Sequence, residues 1–203
     1  MFYRFAYEIM YSGISYTGIM KLYFVRHGQT DINAGTVKDL AAQFDEPLNS
    51  DGVEQAKQLA EQLSDNKFNA IISSPAQRSL QTAQIINRFH NLDVQLDDAW
   101  RELFTVGYLD ATSWHDAFDF DRETAVEGIE PIRDFFNRIY TALDSLKATY
   151  GKEDFVLVVS HGGTHQAVYA YVNKLPLTGN MRLSPMKNCE VRIYDINMEN
   201  QIL

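Results

Sequence analysis

The chain has 203 residues, 45% of them apolar and 22% charged, an ordinary globular composition long enough for one substantial core. Its 27 acidic and 18 basic residues give a formal net charge of −9, which disfavours nucleic acid and anionic membranes as partners, so any anion must meet a local basic pocket. Cys189 is the only cysteine, which excludes an intramolecular disulfide and a cysteine metal cluster and fits a cytoplasmic setting; no run approaches the roughly 18 apolar residues of a membrane span.

Met1 to Ile19 is rich in Phe and Tyr, but Glu8, Gly13 and Gly18 interrupt any continuous apolar stretch, so the pattern of a signal peptide is missing. Residues 1–19 are expected to form an extension or leader outside the core, with Met20 a natural start and 20–203 a single domain. A docked edge segment is the alternative that its aromatics support.

The first strong element is Lys21 to Val25, a buried-strand pattern that opens into Arg26-His27-Gly28. After a weakly periodic stretch from Ala34 to Phe44, expected to be a loop with a helical turn, comes a turn cluster from Glu46 to Gly52. Val53, Ala56, Leu59, Ala60 and Leu63 then follow helical spacing, with Ser50 or Asp51 as the expected cap and Glu54 completing a capping box. Phe68 to Ser74 reads as a second strand. Ser74, Pro75 and Gln77 read as the start of a helix, serine capping it and proline in its first position. Arg78 lies in its first turn on a stripe with Thr82, Ile85 and Phe89; it either meets an anion or lies over apolar groups with its head in water.

Leu92 to Leu96 is a short strand candidate, and 104–130 is irregular. Pro131 opens a helix marked by Ile132, Phe135, Phe136, Ile139, Leu143 and Leu146, with Gly151 as the expected C-terminal cap. Asp154 to Ser160 repeats the opening pattern, a strand delivering His161-Gly162-Gly163. A helix to Asn173 and a strand over 190–196 complete the chain. This order predicts an α/β fold of three layers, a mostly parallel sheet with helices on both faces. Ligands collect beyond the carboxyl ends of such strands, which is where both histidines fall.

Arg26-His27-Gly28 with Thr30 and Asn33 resembles the RHGxTxxN signature of the histidine phosphatase superfamily, which includes the cofactor-dependent phosphoglycerate mutases. Pro47-Leu48 with Gly52, Gln55 and Ala56, then Ser73-Ser74-Pro75 with Arg78, Gln81, Thr82 and Ala83, and finally Ser160-His161-Gly162-Gly163 resemble its further motifs, in order from Lys21 onward. Two positions depart: Glu102 precedes Gly107 by five residues rather than four, and His165 stands where the family is usually apolar. His161 and His165 have the spacing of a helical metal pair, but no third ligand is evident, and a buried or rim histidine is preferred.

The resemblance implies a phosphoglycerate mutase-like fold and a phosphohistidine on His27, with no cofactor and no metal. Arg26, Arg78 and a protonated His161 would grip the phosphate. Thr30, Asn33, Gly28 and Gly162 would help bind substrate, and Glu102 would give and take the proton. The alternative for Glu102 is a surface carboxylate paired with Arg101. The stretch 103–130, where Arg122 is the only basic residue, is expected to set specificity, with Phe104, Tyr108, Trp114, His115 and Phe118 forming an apolar wall or part of the core. Its acidity favours a phosphatase for a small, modestly charged monoester. A phosphoglycerate mutase is the runner-up, and a non-catalytic phosphate-ligand-binding protein the third reading. The oligomeric state is not expected to be readable.

Overall fold

The computed structural model describes residues 19–36, 45–105, 115–122, 128–151 and 153–197. The expected N-terminal extension falls outside these residues up to position 18, as do Gly107, Tyr108, Trp114 and all but the first three positions of the loop expected over 34–44.

Five strands form one sheet in the order β3-β2-β4-β1-β5. They are β1 (Ile19–Arg26), β2 (Ala70–Ser73), β3 (Val94–Leu96), β4 (Phe155–Ser160) and β5 (Val191–Asn197). All neighbours run parallel except β5, which pairs antiparallel with β1 at the edge. The helices are α1 (Asp31–Ala34), α2 (Ser50–Gln62), α3 (Gln77–Asn87), α4 (Ile132–Thr149) and α5 (Gly162–Val172), with a 3-10 turn at Asp98–Trp100.

Strand alternation divides the core. Leu22 and Phe24 of β1 with Val156 and Val158 of β4 face Phe135, Phe136 and Ile139 of α4 and Val168 of α5. Tyr23, Val25, Leu157 and Val159 point the other way, onto Ala56 and Leu59 of α2 and Ala83 and Ile86 of α3. The sheet is therefore covered on both faces, as the order of elements predicts. Each of the buried Val, Leu, Ile and Phe side chains among these contributes about 1.5–3 kcal/mol.

Several helix ends differ from expectation because side chains take other partners. Asn49, rather than Ser50 or Asp51, caps α2, its Oδ1 accepting the Gly52 N–H at 2.9 Å, while Glu54 pairs with Lys57 instead of closing a box. Helix α3 begins at Gln77 with no side-chain cap, which leaves Pro75 ahead of its first turn. Pro131 occupies the cap position of α4 rather than its first turn. Tyr150, not Gly151, ends α4, and the Gly151 N–H goes to the Asp154 carboxylate at 2.6 Å.

Candidate active site

Parallel register builds the site. Arg26 pairs with Ser160, so the residues that follow, His27 and His161, leave adjacent strands side by side, and the His27 N–H donates to the Ser160 carbonyl at 2.9 Å. Their rings meet edge to face with centroids 5.2 Å apart. They line a cavity of about 720 Å³ with Arg26, Arg78, Glu102 and Asn33. Arg78 is half-buried in this wall, close enough to both histidines for its charge to act on them.

His27 is buried at 4% exposure, and its Nδ1 lies 2.7 Å from the Gly28 carbonyl. A carbonyl only accepts, so Nδ1 carries the proton and Nε2 keeps its lone pair. Burial, then the charges of Arg78 and Arg26, hold His27 well below the usual histidine range. His161 is fully buried and held down by burial and by the same two arginines, with His27 adding to their effect. Burial first, and then the guanidiniums beside it, thus oppose the protonated His161 expected from the sequence. Its Nε2 meets the Ser74 hydroxyl at 2.8 Å, and its Nδ1 has no partner. The Nε atom of Arg26 is likewise buried without a partner, while its Nη1 donates to the Met186 carbonyl at 2.6 Å. Buried polar groups left open inside a cationic pocket are what a bound oxyanion would satisfy.

Helix α5 starts at Gly162, so the positive end of its dipole points into this cavity. The Glu102 carboxylate accepts the Gly163 N–H through Oε2 and the Leu103 N–H through Oε1, each at 3.0 Å. Its alternative partner, Arg101, instead binds Asp98 at 2.6 Å. A Cβ on Gly163 would run into that carboxylate and lie 2.9 Å from the Phe118 ring, so any larger residue there must push the Glu102 side chain out of this seat.

Two residues expected to contact substrate take partners within the protein. The Thr30 hydroxyl accepts the Asn33 N–H at 3.2 Å, capping α1, and Thr30 lies outside the cavity wall. The Gly28 N–H is taken by the Thr82 hydroxyl at 3.0 Å, and a Cβ there would lie 2.6 Å from the Gly52 carbonyl. Gly28 therefore serves loop packing and the orientation of His27. Asn33 and Gly162 do line the cavity. Asn188, which the sequence did not single out, donates to the His27 carbonyl at 3.0 Å and to Asn33 Oδ1 at 3.2 Å, tying the Asn33 side chain to the nucleophile loop.

The remaining motif residues brace the loop after β1. Gln55 accepts the Gln29 N–H at 3.0 Å and Gln81 accepts the Leu48 N–H at 2.8 Å. Phe104 and Phe118 line the cavity, whereas His115 is exposed beside Asp116 and lies off the wall. His165 is buried away from the cavity, between the Ser184 carbonyl at 2.9 Å and the Tyr194 hydroxyl at 2.6 Å. Among the described residues no group of three His, Cys, Asp or Glu side chains is placed to hold a metal ion. No helix among them is long and apolar enough to cross a membrane.

The chain is 32% identical over 189 residues to the probable phosphoglycerate mutase GpmB of Enterobacter sp. (strain 638), covering 87% of this chain and 85% of that protein. A mycobacterial glucosyl-3-phosphoglycerate phosphatase in complex with VO3 superimposes with a TM-score of 0.73 at 29% identity, over 85% of this chain and 90% of that one. A putative alpha-ribazole-5'-P phosphatase from Escherichia coli shares the fold, with a TM-score of 0.73 at 23% identity over 88% and 91% of the two chains. The sequence profile of the histidine phosphatase superfamily (branch 1) matches residues 22–203, and with paired strand-borne histidines set among arginines the chain belongs to that family.

Proposed function

We propose that the protein is a phosphatase that hydrolyses a small phosphomonoester through a phosphohistidine on His27. The observation that carries this reading is the neutral, buried His27, its Nδ1 proton held by Gly28 and its Nε2 lone pair free. Nε2 attacks phosphorus, the P–O ester bond breaks, and the leaving oxygen takes a proton from Glu102. Water then attacks phosphorus and gives a proton to Glu102, while the P–N bond breaks and returns neutral His27. Arg26, Arg78 and the N-terminus of α5 supply fixed positive charge around the equatorial oxygens. A bound phosphate dianion opposes the arginine charges that hold His161 down, so His161 can become a charged donor once substrate is present.

The wall around the phosphate end is mostly self-neutralised. Arg101 pairs with Asp98, Arg138 with Glu130, and Arg122 nearby in sequence with Asp116. That balance supports a substrate with one phosphate and an uncharged or weakly charged body. A second reading, phosphoglycerate mutase, is favoured by the names of relatives such as the Enterobacter protein and by Arg182, a cavity-wall cation in no ion pair among the described residues. Incubation with 3-phosphoglycerate and its bisphosphate primer separates the two: interconversion outpacing phosphate release would select the mutase.

The main test uses an aryl phosphate in rapid-quench experiments. The wild-type protein should give a burst of phenol and an acid-labile, base-stable phosphoprotein, and His27→Ala should give neither. Wild-type turnover by His27→Ala would overturn the assignment.

A further inference from the structure

We propose that Arg138 is a positioning residue, whose guanidinium sets the aim of Glu102 as the proton donor; this rests on the reading of Glu102 given above. Glu102 lies in an irregular segment after the 3-10 turn, where neither strand nor helix holds its backbone. Such a segment leaves carbonyls unpaired and a carboxyl free to wander. Arg138 removes both problems at once. Its Nη1 donates to the carbonyls of Ala99 at 2.7 Å and Arg101 at 2.8 Å, and its Nη2 to that of Glu102 at 3.1 Å. The fork is closed by Glu130, bound bidentately at 2.8 and 2.9 Å, so all five N–H donors are used.

Glu130 extends the grip, for its Oε2 also accepts the Phe104 N–H at 3.2 Å. The chain is therefore fastened on both sides of Glu102, before it by Arg138 and after it by Glu130. The anchor is rigid. Arg138 sits on α4, the 18-residue helix packed in the core, and its guanidinium lies 4.7 Å from the centre of the Phe135 ring. Its side chain is only 25% exposed. A lysine ammonium, a point charge with three donors, cannot match three carbonyls and a bidentate carboxylate together. With its donors spent on the protein, Arg138 has none left for the phosphate, which separates its role from those of Arg26 and Arg78.

In the step concerned, the P–O ester bond breaks, its electron pair stays on the leaving oxygen, and that oxygen takes the Glu102 proton. A good leaving group needs little of this help and a poor one needs it all. The test measures kcat/KM of Arg138→Met, Arg138→Lys and Glu102→Gln on p-nitrophenyl phosphate and on an alkyl phosphate, with urea midpoints as the folding control. For both Arg138 variants the alkyl phosphate should lose on the order of 10²-fold and the aryl phosphate less than about threefold. Glu102→Gln should show the same selectivity, and the Arg138→Lys/Glu102→Gln double variant should be no worse than Glu102→Gln alone. Equal losses on both substrates for Arg138→Lys, or additive losses in the double variant, would overturn the positioning role. Absence of selectivity in Glu102→Gln itself would instead overturn the proton-donor reading.

Discussion

Ser74 and His161 are joined by a 2.8 Å hydrogen bond that fixes which nitrogen of His161 faces a ligand. The Ser74 oxygen also accepts the Ala76 N–H at 3.4 Å, and the Ser79 hydroxyl lies 3.5 Å from the same His161 Nε2. With Ser74 donating to Nε2, the imidazole proton sits on Nδ1, the atom without a protein partner. His161 can thus donate to a phosphate oxygen even while uncharged, as its buried surroundings require. Ser74→Ala should shift the imidazole proton toward Nε2, visible in 15N NMR, and lower kcat by about tenfold or more. An unchanged tautomer with unchanged kcat would remove this role from Ser74.

Gly163→Ala tests the fit between α5 and Glu102. On an exposed helix the change would stabilise by about 0.5–1 kcal/mol. Here the added methyl displaces the Glu102 carboxylate and presses on Phe118. Activity on an alkyl phosphate should fall at least tenfold, on the order of a lost general acid. A variant with wild-type kcat/KM on that substrate would show that Glu102 does not need this seat.

How far the sequence reached can be read from the same residues. The two strand-His-Gly stretches were legible because a buried parallel strand has a strong apolar signature and its ligand end is known in advance. Arg78 was legible from its own pattern only as a cation at a helix start, with an anion or water as its partner; the resemblance of its motif, not the pattern, marked it as a phosphate ligand, since burial depends on what packs over it. Ser74 was misread because a serine before Pro75 has the local pattern of a cap, and nothing local shows that a histidine from β4 claims its hydroxyl. Arg138 was invisible: it sits one residue before the core position Ile139 and its partners lie at 99–102 and 130. Long-range hydrogen bonds to irregular backbone leave no periodic trace.

Thr82→Val probes the bracing of the nucleophile loop. The Thr82 hydroxyl accepts the Gly28 N–H at 3.0 Å and donates to the Arg78 carbonyl at 2.7 Å, and Thr82 is fully buried. Valine keeps the shape and strands the Gly28 N–H, which should cost about 1–3 kcal/mol in urea unfolding. Because the Gly28 carbonyl holds His27 Nδ1, kcat should fall as well. Full stability and full activity together would refute the bracing.

Acid sensitivity should come from the buried histidines, and His165 gives the clearest case. Burial pulls it down to about 4, with Arg192 adding to the depression while Glu190 and the bond to the Ser184 carbonyl oppose it. A base whose folded value lies below its unfolded value near 6.5 is neutral in the fold where the unfolded chain is charged. Between those values the unfolded state binds the extra proton, so stability rises with pH and is lost as pH falls from about 6.5 toward 4. The full effect is on the order of 3 kcal/mol for this one residue. His27 and His161 shift in the same direction and act in the same sense. Urea unfolding at a series of pH values should show a shallower slope for His165→Gln than for the wild type, by up to one proton. Parallel slopes would mean that His165 protonates freely in the fold, against the packing of Tyr194 and Ser184 around it.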